Sequence, residues 1–186
     1  MVTRCEWAET NALEKDYHDH EWGVPVHEDK KLFELLVLES MQAGLSWSTI
    51  LAKRSTLKEA YDDFDYNIIC KYTEEKINNL LTDPGVIRNK LKIKSTISNA
   101  QSFIKIKSEF GSFDSYIWSF VDNTPQLNSW HSQDEVPAST DLSDLISKEL
   151  KKRGFKFLGT TSIYAFMQSI GMVNDHVNNC FRKKVY

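Results

Sequence analysis

The sequence has few of the residues that interrupt helices or cross-link secreted proteins. Its 186 residues include only seven glycines, four prolines and three cysteines. Three cysteines, spread over positions 5, 70 and 180, are a poor disulfide framework and indicate a reducing compartment. No segment is apolar enough for a signal peptide or a membrane span, since even the stretch from Leu32 to Leu38 is short and contains Glu34. We therefore expect a soluble, cytoplasmic protein that does not bind membranes.

An excess of positive charge is also missing. The formal net charge is −3 and the pI is about 6.0, so total charge gives no support to a nucleic-acid partner. The distribution is uneven, however, because residues 86–107 contain six basic and no acidic side chains, and residues 148–156 contain five basic side chains and one acidic one. The basic runs fit either one basic face on an acidic protein or an ordinary solvated helix surface, and charge alone does not separate the two.

The scarcity of glycine and proline, together with apolar residues at helical spacing, predicts an all-α protein. With 41% hydrophobic residues, the chain is long enough to bury the core of one domain, residues 1–186. Asp29 is expected to cap a buried helix that runs to about Met41. Further helices are expected at about 74–81, in a basic segment with Ile93, Ile97, Ala100 and Ile104 on one face, and at about 113–121, 142–154 and 162–171. The polar residues 122–141 are expected to form a loop or crossover.

Two pairs of cysteine and histidine residues lie near opposite ends of the sequence. His176 and Cys180 are four residues apart, so a helix or helix-like turn would place them on one face. Cys5 and His18 complete a Cys2His2 set, which suits tetrahedral zinc. Four protein ligands leave no open position for water, so such a site would be structural. Spacing alone does not establish the set, since unrelated core residues fit it too, and His20 and His27 remain possible alternatives.

Glu39 lies on the apolar face of the helix predicted at 29–41, where an unpaired carboxylate is costly to bury. It requires a specific partner or a function. The next residues, 42–47, form a short turn of small residues that ends in Trp47, and Tyr17 is another aromatic beside His18. A carboxylate among aromatic rings suits a flat, cationic heterocycle, although aromatic residues at this density also form ordinary cores.

These residues resemble the 3-methyladenine DNA glycosylase I family of the helix-hairpin-helix superfamily. The similarity extends through essentially the whole chain. The motifs that carry it are Arg4-Cys5-x-Trp7, Tyr17-His18-Asp19-x-Glu21-Trp22-Gly23-Val24-Pro25, Leu32-Phe33-Glu34, Leu38-Glu39 with Gln42-Ala43-Gly44-Leu45-Ser46-Trp47, Trp118-Ser119-Phe120-Val121, Lys151-Lys152-Arg153-Gly154-Phe155-Lys156-Phe157, and Val173-Asn174-Asp175-His176-Val177 with Cys180.

The resemblance implies a helix-hairpin-helix glycosylase fold with one structural zinc ion that joins the termini. The implied zinc ligands are Cys5, His18, His176 and Cys180. Glu39 would be the catalytic residue of a base pocket formed with Tyr17, Trp47 and Trp22. The implied DNA contacts are Gly44 and Leu45, inserted where the base was extruded, and Gly85, Ile87 and Arg88, in a hairpin at about 74–107. One departure is Glu14, which stands where well-known members have a second tyrosine.

The function implied by the resemblance is that of a monofunctional, monomeric glycosylase of base excision repair. It would bind double-stranded DNA containing 3-methyladenine, flip the damaged nucleotide and release free 3-methyladenine. Two other classes of protein compete with this hypothesis. A non-catalytic helix-hairpin-helix module would bind DNA and excise nothing, and a zinc hydrolase would need an open coordination position at its metal.

Overall fold

The computed structural model describes residues 2–183 of the chain and is mostly helical. The α-helices in the described residues are α1 (Ala12–His20), α2 (Asp29–Met41), α3 (Trp47–Ala60), α4 (Tyr66–Ile69), α5 (Glu74–Thr82), α6 (Lys90–Phe110), α7 (Phe113–Trp118), α8 (Asp141–Lys152) and α9 (Thr160–Ser169). Short 3₁₀ turns lie at Glu6–Glu9, Asp62–Phe64, Ser119–Val121 and Gln133–Glu135. No helix within residues 2–183 is both long and apolar enough to cross a membrane.

Helix α2 lies at the centre of the core. All its residues from Leu32 to Met41 are buried, and it packs against α3, α6, α7 and α9. Apolar residues around the full circumference are what a helix surrounded by other helices requires. The buried Glu34 is paired, since Arg54 Nε of α3 donates to it over 2.8 Å. The same helix carries Glu39 near its C-terminal end, which places that carboxyl inside the protein.

Helices α5 and α6 form a pair joined by residues 83–89. Thr73 begins α5 by accepting a hydrogen bond from the backbone of Lys76, and Asn89 begins α6 by accepting from the backbone N–H groups of Leu91 and Lys92. The connection turns at Asp83, whose carboxylate accepts from the backbone N–H of Gly85 over 2.7 Å. This pair corresponds to the hairpin expected at 74–107.

The helix predictions hold with small shifts at the ends, and two expectations were wrong in detail. Asp29 does not cap α2. It is the first residue of that helix, and its carboxylate instead accepts from backbone N–H groups at the start of α7 and from Lys107. Residues 122–141, expected to be a loop or crossover, also contain a short strand, because Gln126–Leu127 pairs in parallel with Val173–Asn174 as strands β1 and β2. Helix α9 ends at Ser169, two residues before the expected end.

The two ends of the described chain meet. The backbone N–H of Phe181 donates to the carbonyl of Thr3 over 2.9 Å, and the Arg4 guanidinium lies over the Phe181 ring at 5.6 Å. A second, smaller apolar cluster forms here, apart from the main core, from Cys5, Tyr17, Trp22, Val177 and Cys180. The position of this cluster brings the residues predicted as metal ligands beside those predicted to bind a base.

Candidate functional site

The four predicted metal ligands converge on one point. Cys5, His18, His176 and Cys180 are all buried, and their ligand atoms lie within 4.8 Å of one another. Cys180 Sγ is 3.4 Å from His18 Nε2 and 3.5 Å from His176 Nδ1. The two alternatives left open by the sequence lie elsewhere: the His20 ring contacts Asp16 and the His27 ring contacts Asp114. His176 and Cys180 approach each other in an irregular turn and not on an α-helix.

The distances between these donor atoms fit a tetrahedral metal ion. Zinc bonds of ~2.3 Å to sulfur and ~2.0 Å to nitrogen at tetrahedral angles give sulfur–nitrogen distances of roughly 3.5 Å. The observed sulfur–nitrogen contacts, including 3.6 Å from Cys5 Sγ to His176 Nδ1, lie within 0.1 Å of that value. The neighbouring thiol of Cys5 and the two imidazoles lower the pKa of the Cys180 thiol far below its usual range, which favours the thiolate form that binds metals. The residues therefore fit zinc.

Each histidine has its other ring nitrogen fixed by a hydrogen bond. His18 Nδ1 lies 2.9 Å from Asp19 Oδ1, and Asp19 is held by Arg4, which lowers the pKa of that carboxyl to about 2. His176 Nε2 lies 3.2 Å from the carbonyl oxygen of Trp22. Because each of these nitrogens donates a proton, Nε2 of His18 and Nδ1 of His176 are left with lone pairs that face the thiols. Contacts of this kind orient histidine ligands toward metals.

A cavity of about 260 Å³ lies beside this cluster, between α1, α2, α3 and α9. Its volume is near the lower end of the range typical of small-molecule sites, ~300–1,000 Å³, and suits one small heterocycle. The residues that line it are Trp7, Glu14, Tyr17, Trp22, Glu39, Gln42, Trp47, Gln133, Ala165 and Gln168. All four residues predicted from the sequence to form the base pocket are among them.

Several buried polar atoms in this cavity lack hydrogen-bond partners among the described residues. Glu39 Oε2, Tyr17 Oη and Trp47 Nε1 are buried and have no hydrogen bond within the described part of the chain. Burial raises the pKa of Glu39 from 4.5 to about 8, so its carboxyl is mostly protonated at neutral pH. Burial, together with the nearby Glu39 charge, raises the pKa of Tyr17 well above its usual range. Unpaired buried polar groups are rare in proteins, and several around one cavity mark a place where a ligand supplies the missing hydrogen bonds.

Four aromatic side chains line the same cavity. The rings of Tyr17 and Trp47 lie with their centroids 5.3 Å apart, tilted by 55°. Trp22 packs edge to face against Trp7 at 5.1 Å and against His176 at 4.6 Å. Trp22 therefore contacts the cavity on one side and the metal cluster on the other. Tyr17 and His18 are adjacent in α1, so a metal bound at His18 would also fix the position of Tyr17 in the cavity wall.

Glu14, the departure from the family pattern, also lies at this cavity. It is buried in α1, and its Oε1 accepts a 2.6 Å hydrogen bond from Ser48 of α3. Asn11, the residue that caps α1, donates to the same Ser48 hydroxyl over 2.8 Å. Glu14 therefore joins two walls of the cavity and places a second carboxyl there, where a tyrosine would have placed a ring.

Sequence reasoning missed three glutamines, Gln42, Gln133 and Gln168, as cavity residues. Gln133 lies in the polar segment expected to be a loop, and its Oε1 is buried without a partner among the described residues. Gln168 Nε2 donates to Asp175 over 2.9 Å. Gln42 follows Glu39 by three residues at the end of α2, a helical spacing that could have pointed to it. No spacing links Gln133 or Gln168 to Glu39, so no local pattern would have found these two.

The residues predicted to contact DNA lie next to each other on the surface. Gly44, at φ +78°, forms an exposed turn after α2 with open space around it, and Leu45 beside it is 37% exposed. Leu45 shares a surface groove with Ile87 and Arg88 of the connection between α5 and α6. Gly85 lies at the base of this connection, against Thr56 of α3. The structure thus brings the two predicted DNA-binding segments together.

The basic run at 86–107 is only partly available to a ligand. Arg88, Lys90 and Lys105 are exposed and have no ion pair within the described residues. Lys107 pairs with Asp29, and Lys94 pairs with Glu74. Lys92 is buried, and its Nζ donates to the carbonyl oxygens of Met41 and Ala43. Within this run, the cations available to a ligand are therefore Arg88 and Lys90 at the start of α6 and Lys105 near its end.

Comparison with known proteins gives consistent matches over the whole chain. A family model described as methyladenine glycosylase matches residues 7–183. The chain is 45% identical over 179 residues to DNA-3-methyladenine glycosylase 1 of Escherichia coli (strain K12), covering 96% of each protein. It is 43% identical to DNA-3-methyladenine glycosylase of Haemophilus influenzae, covering 97% of each. The structure of 3-methyladenine DNA glycosylase I from Staphylococcus aureus, solved to explain 3-methyladenine recognition, matches with a TM-score of 0.95 and 34% identity over 98% of this chain and 97% of that one.

Proposed function

The chain belongs to the methyladenine glycosylase family, and on that premise we propose that it excises 3-methyladenine from alkylated DNA as a monofunctional glycosylase. One observation carries the proposal. The buried Glu39 carboxyl, unpartnered at Oε2, faces a cavity of base-sized volume that also presents unpartnered atoms of Tyr17 and Trp47. The product is free 3-methyladenine, and the reaction is the first step of base excision repair. The single-domain, monomeric form expected from the sequence belongs to the same proposal.

The proposed chemistry needs little acid catalysis. An adenine methylated at N3 carries a positive charge, so its glycosidic bond is already weak. The bond breaks with its electron pair moving to the base, which leaves as a neutral molecule, and water adds to the sugar carbon and loses a proton. The protein extrudes the nucleotide, at a cost of roughly a few kcal/mol, and holds the base during the reaction.

The residues of the cavity have distinct parts in this proposal. Glu39 accepts a hydrogen bond from the adenine edge, and the cationic base favours the carboxylate form of that side chain. The rings of Tyr17 and Trp47 stack on the base, and Trp22 closes the wall beside the metal cluster. A positive heterocycle is attracted to aromatic faces, whereas an undamaged adenine is neutral and gains less. Selectivity for the lesion follows from charge and from the tight volume.

We infer that Cys5, His18, His176 and Cys180 bind one zinc ion with a structural role. Donor distances near 3.5 Å and the oriented histidines support this assignment. Zinc held by four protein ligands supplies a cross-link between the termini and no catalytic water. The cross-link would fix α1, which carries Tyr17, against the C-terminal segment.

Contacts to duplex DNA are assigned to two neighbouring segments of the surface. Gly44 and Leu45 would enter the gap left by the extruded nucleotide, since their turn follows Glu39 directly and projects into open space. Gly85, Ile87 and Arg88 would hold the phosphate backbone. The backbone N–H groups of Leu91 and Lys92 already bond to Asn89, so at the start of α6 the phosphate contacts fall to the preceding residues.

Incubation of the purified protein with methylated duplex DNA tests this function. We expect release of free 3-methyladenine, identified by chromatography, without cleavage of the DNA strand. Binding to the duplex with no release of base would overturn the proposal in favour of a non-catalytic DNA-binding module. X-ray absorption at the zinc edge tests the hydrolase alternative, since four protein ligands and no bound water exclude an open metal site.

A further inference from the structure

The cavity wall also includes a loop that carries Gln133. This residue lies in the 3₁₀ turn Gln133–Glu135, between β1 and α8. Its Oε1 is buried and has no hydrogen bond in the part of the chain that the structure describes. An amide oxygen held away from water without a donor destabilises the free protein, so a ligand that supplies the donor gains affinity.

The loop is held in place by the segment that carries two of the metal ligands. Trp130 Nε1 and Asn128 Nδ2 donate to Oδ1 of the buried Asp175 over 2.8 Å and 2.7 Å. The backbone N–H of Asn178 donates to the carbonyl of Trp130 over 2.8 Å. Three residues beyond Trp130, Gln133 is therefore on an anchored loop and not on a free one. Precise placement is what a hydrogen-bond acceptor needs in order to discriminate between bases.

Two of the unpartnered groups in the cavity are oxygens that can accept a hydrogen bond, and they favour a base edge that carries donors. Glu39 and Gln133 each contribute an oxygen without a donor. The exocyclic amino group of adenine has two N–H donors, whereas guanine has a carbonyl oxygen, an acceptor, at the same ring position. Acceptor facing acceptor leaves both groups unpaired in a buried site, and such a mismatch gives strong discrimination between substrates.

We propose that Gln133 is a specificity-determining residue of this pocket, which accepts a hydrogen bond from the exocyclic amino group of the flipped 3-methyladenine and thereby disfavours 3-methylguanine. The inference rests on the proposed function, because it assigns a base contact within the same reaction. It adds a contact from a loop that contributes none of the residues predicted from the sequence.

Internal competition in one methylated duplex tests this assignment, since it measures release of 3-methyladenine and 3-methylguanine together. Gln133→Leu keeps the side-chain size and removes the acceptor, so we expect kcat/KM for 3-methyladenine to fall about 5- to 20-fold, as for one lost hydrogen bond. Release of 3-methylguanine should not fall, and the ratio of the two rates should drop by the same factor. Ser132→Ala, an exposed neighbour in the loop, serves as the matched control.

A second variant separates contact with the base from an effect on the loop. Gln133→Glu retains an acceptor but cannot rotate an amide N–H toward the guanine carbonyl, so it should keep 3-methyladenine release and discriminate more strongly. If Gln133→Leu slows both bases equally, or changes neither, or if Gln133→Glu loses discrimination, Gln133 does not read the base and the inference is wrong. If wild-type protein and Ser132→Ala release no base at all, the proposed function itself fails.

Discussion

At the scale of single residues, Glu39 combines a cost in the free protein with a gain when a cationic base is bound. A carboxyl buried without a partner at one oxygen destabilises the fold whenever it ionises. A positive base in the same cavity reverses this effect, because it supplies both a charge and a donor. Selectivity for the lesion and a penalty in stability therefore have the same origin in this side chain.

The first prediction concerns Glu39→Gln, which removes the charge but keeps the shape. Excision of 3-methyladenine should fall roughly 10- to 100-fold, the range expected when a charge-assisted hydrogen bond is lost. The rate of base release from methylated DNA in single-turnover conditions measures this. Glu59→Gln, an exposed glutamate of α3, is the control. Normal excision by Glu39→Gln would show that the central role assigned to this residue is wrong.

The second prediction is that the same substitution stabilises the protein in a pH-dependent way. Because burial raises the pKa of Glu39 from 4.5 to about 8, the folded protein holds a proton that the unfolded chain releases between these values. The free energy of unfolding of the wild type should thus fall as pH rises from 4.5 to 8. Glu39→Gln has no titrating group at this position, so this part of the pH dependence should be absent from the variant. We expect the difference to reach roughly 4 kcal/mol at pH 8 and to be small at pH 4.5. Denaturant unfolding at both pH values measures it, and a constant difference would contradict the assignment.

At the scale of secondary-structure elements, α6 holds the end of the helix that carries Glu39. The buried Lys92 donates to the carbonyl oxygens of Met41 and Ala43 over 2.7 Å and 2.6 Å. These are acceptors at the C-terminus of α2, where a positive charge is also favoured by the helix dipole. The hairpin helix and the turn at Gly44 are therefore connected by one side chain.

The third prediction follows from that connection. Lys92→Met keeps the aliphatic chain and leaves both carbonyls without their donor, so the free energy of unfolding should drop by about 2 kcal/mol. Excision should fall as well, since the turn at Gly44 and the end of α2 lose their anchor. Thermal unfolding and base release measure the two effects. Lys105→Met, an exposed lysine farther along α6, is the control, and equal melting temperatures for the two variants would refute the anchoring role.

The fourth prediction concerns the groove between Leu45 and the connection from α5 to α6. Arg88→Ala should weaken binding to duplex DNA at every sequence and lower the slope of log affinity against log salt concentration by about one, as expected for one lost phosphate contact. Fluorescence anisotropy over a salt series measures this, and the affinity for free 3-methyladenine should stay constant. Lys148→Ala, exposed in the other basic run, is the matched control. A larger effect from Lys148 would place the duplex across α8 instead.

The sequence predicts a helix well when the helix buries a continuous apolar face. It predicts a helix poorly when the buried residues are polar or belong to the candidate site. Helix α2 was predicted with its correct end at Met41, because its apolar residues cover most of the helix circumference and continue up to that residue. Helix α1 was not predicted, because the residues that it buries are Glu14, Tyr17 and His18, which serve the cavity and the metal cluster. Helix α3 was also missed, since only Ile50 and Leu57 are buried in a segment rich in serine and threonine. Periodicity detects burial of apolar side chains and no other cause of folding.

At the scale of the whole molecule, the candidate site depends on contacts between distant parts of the sequence. Trp22 links the two halves of that site, since its ring lines the cavity while its carbonyl oxygen lies 3.2 Å from His176 Nε2. The four candidate ligands could be chosen from the sequence by residue type. Residue spacing could not show that they meet at one point, because Cys5 and His176 are 171 residues apart. Likewise, Gln133 reaches the cavity through loop contacts to Asp175 that no local pattern encodes.

The fifth prediction tests whether the metal cluster closes the fold. Purified, tag-free protein should contain about one zinc ion per chain, and His176→Ala should lose it and become less stable by on the order of 3 kcal/mol or more, because ligand binding contributes directly to folding. Elemental analysis and thermal unfolding measure both, with His20→Ala, an exposed histidine outside the cluster, as the control. Excision should fall with the metal, since α1 and Trp22 lose a shared support. An unchanged zinc content in His176→Ala would remove this residue from the site, and loss of zinc without loss of stability would show that the termini are held by their apolar contacts alone.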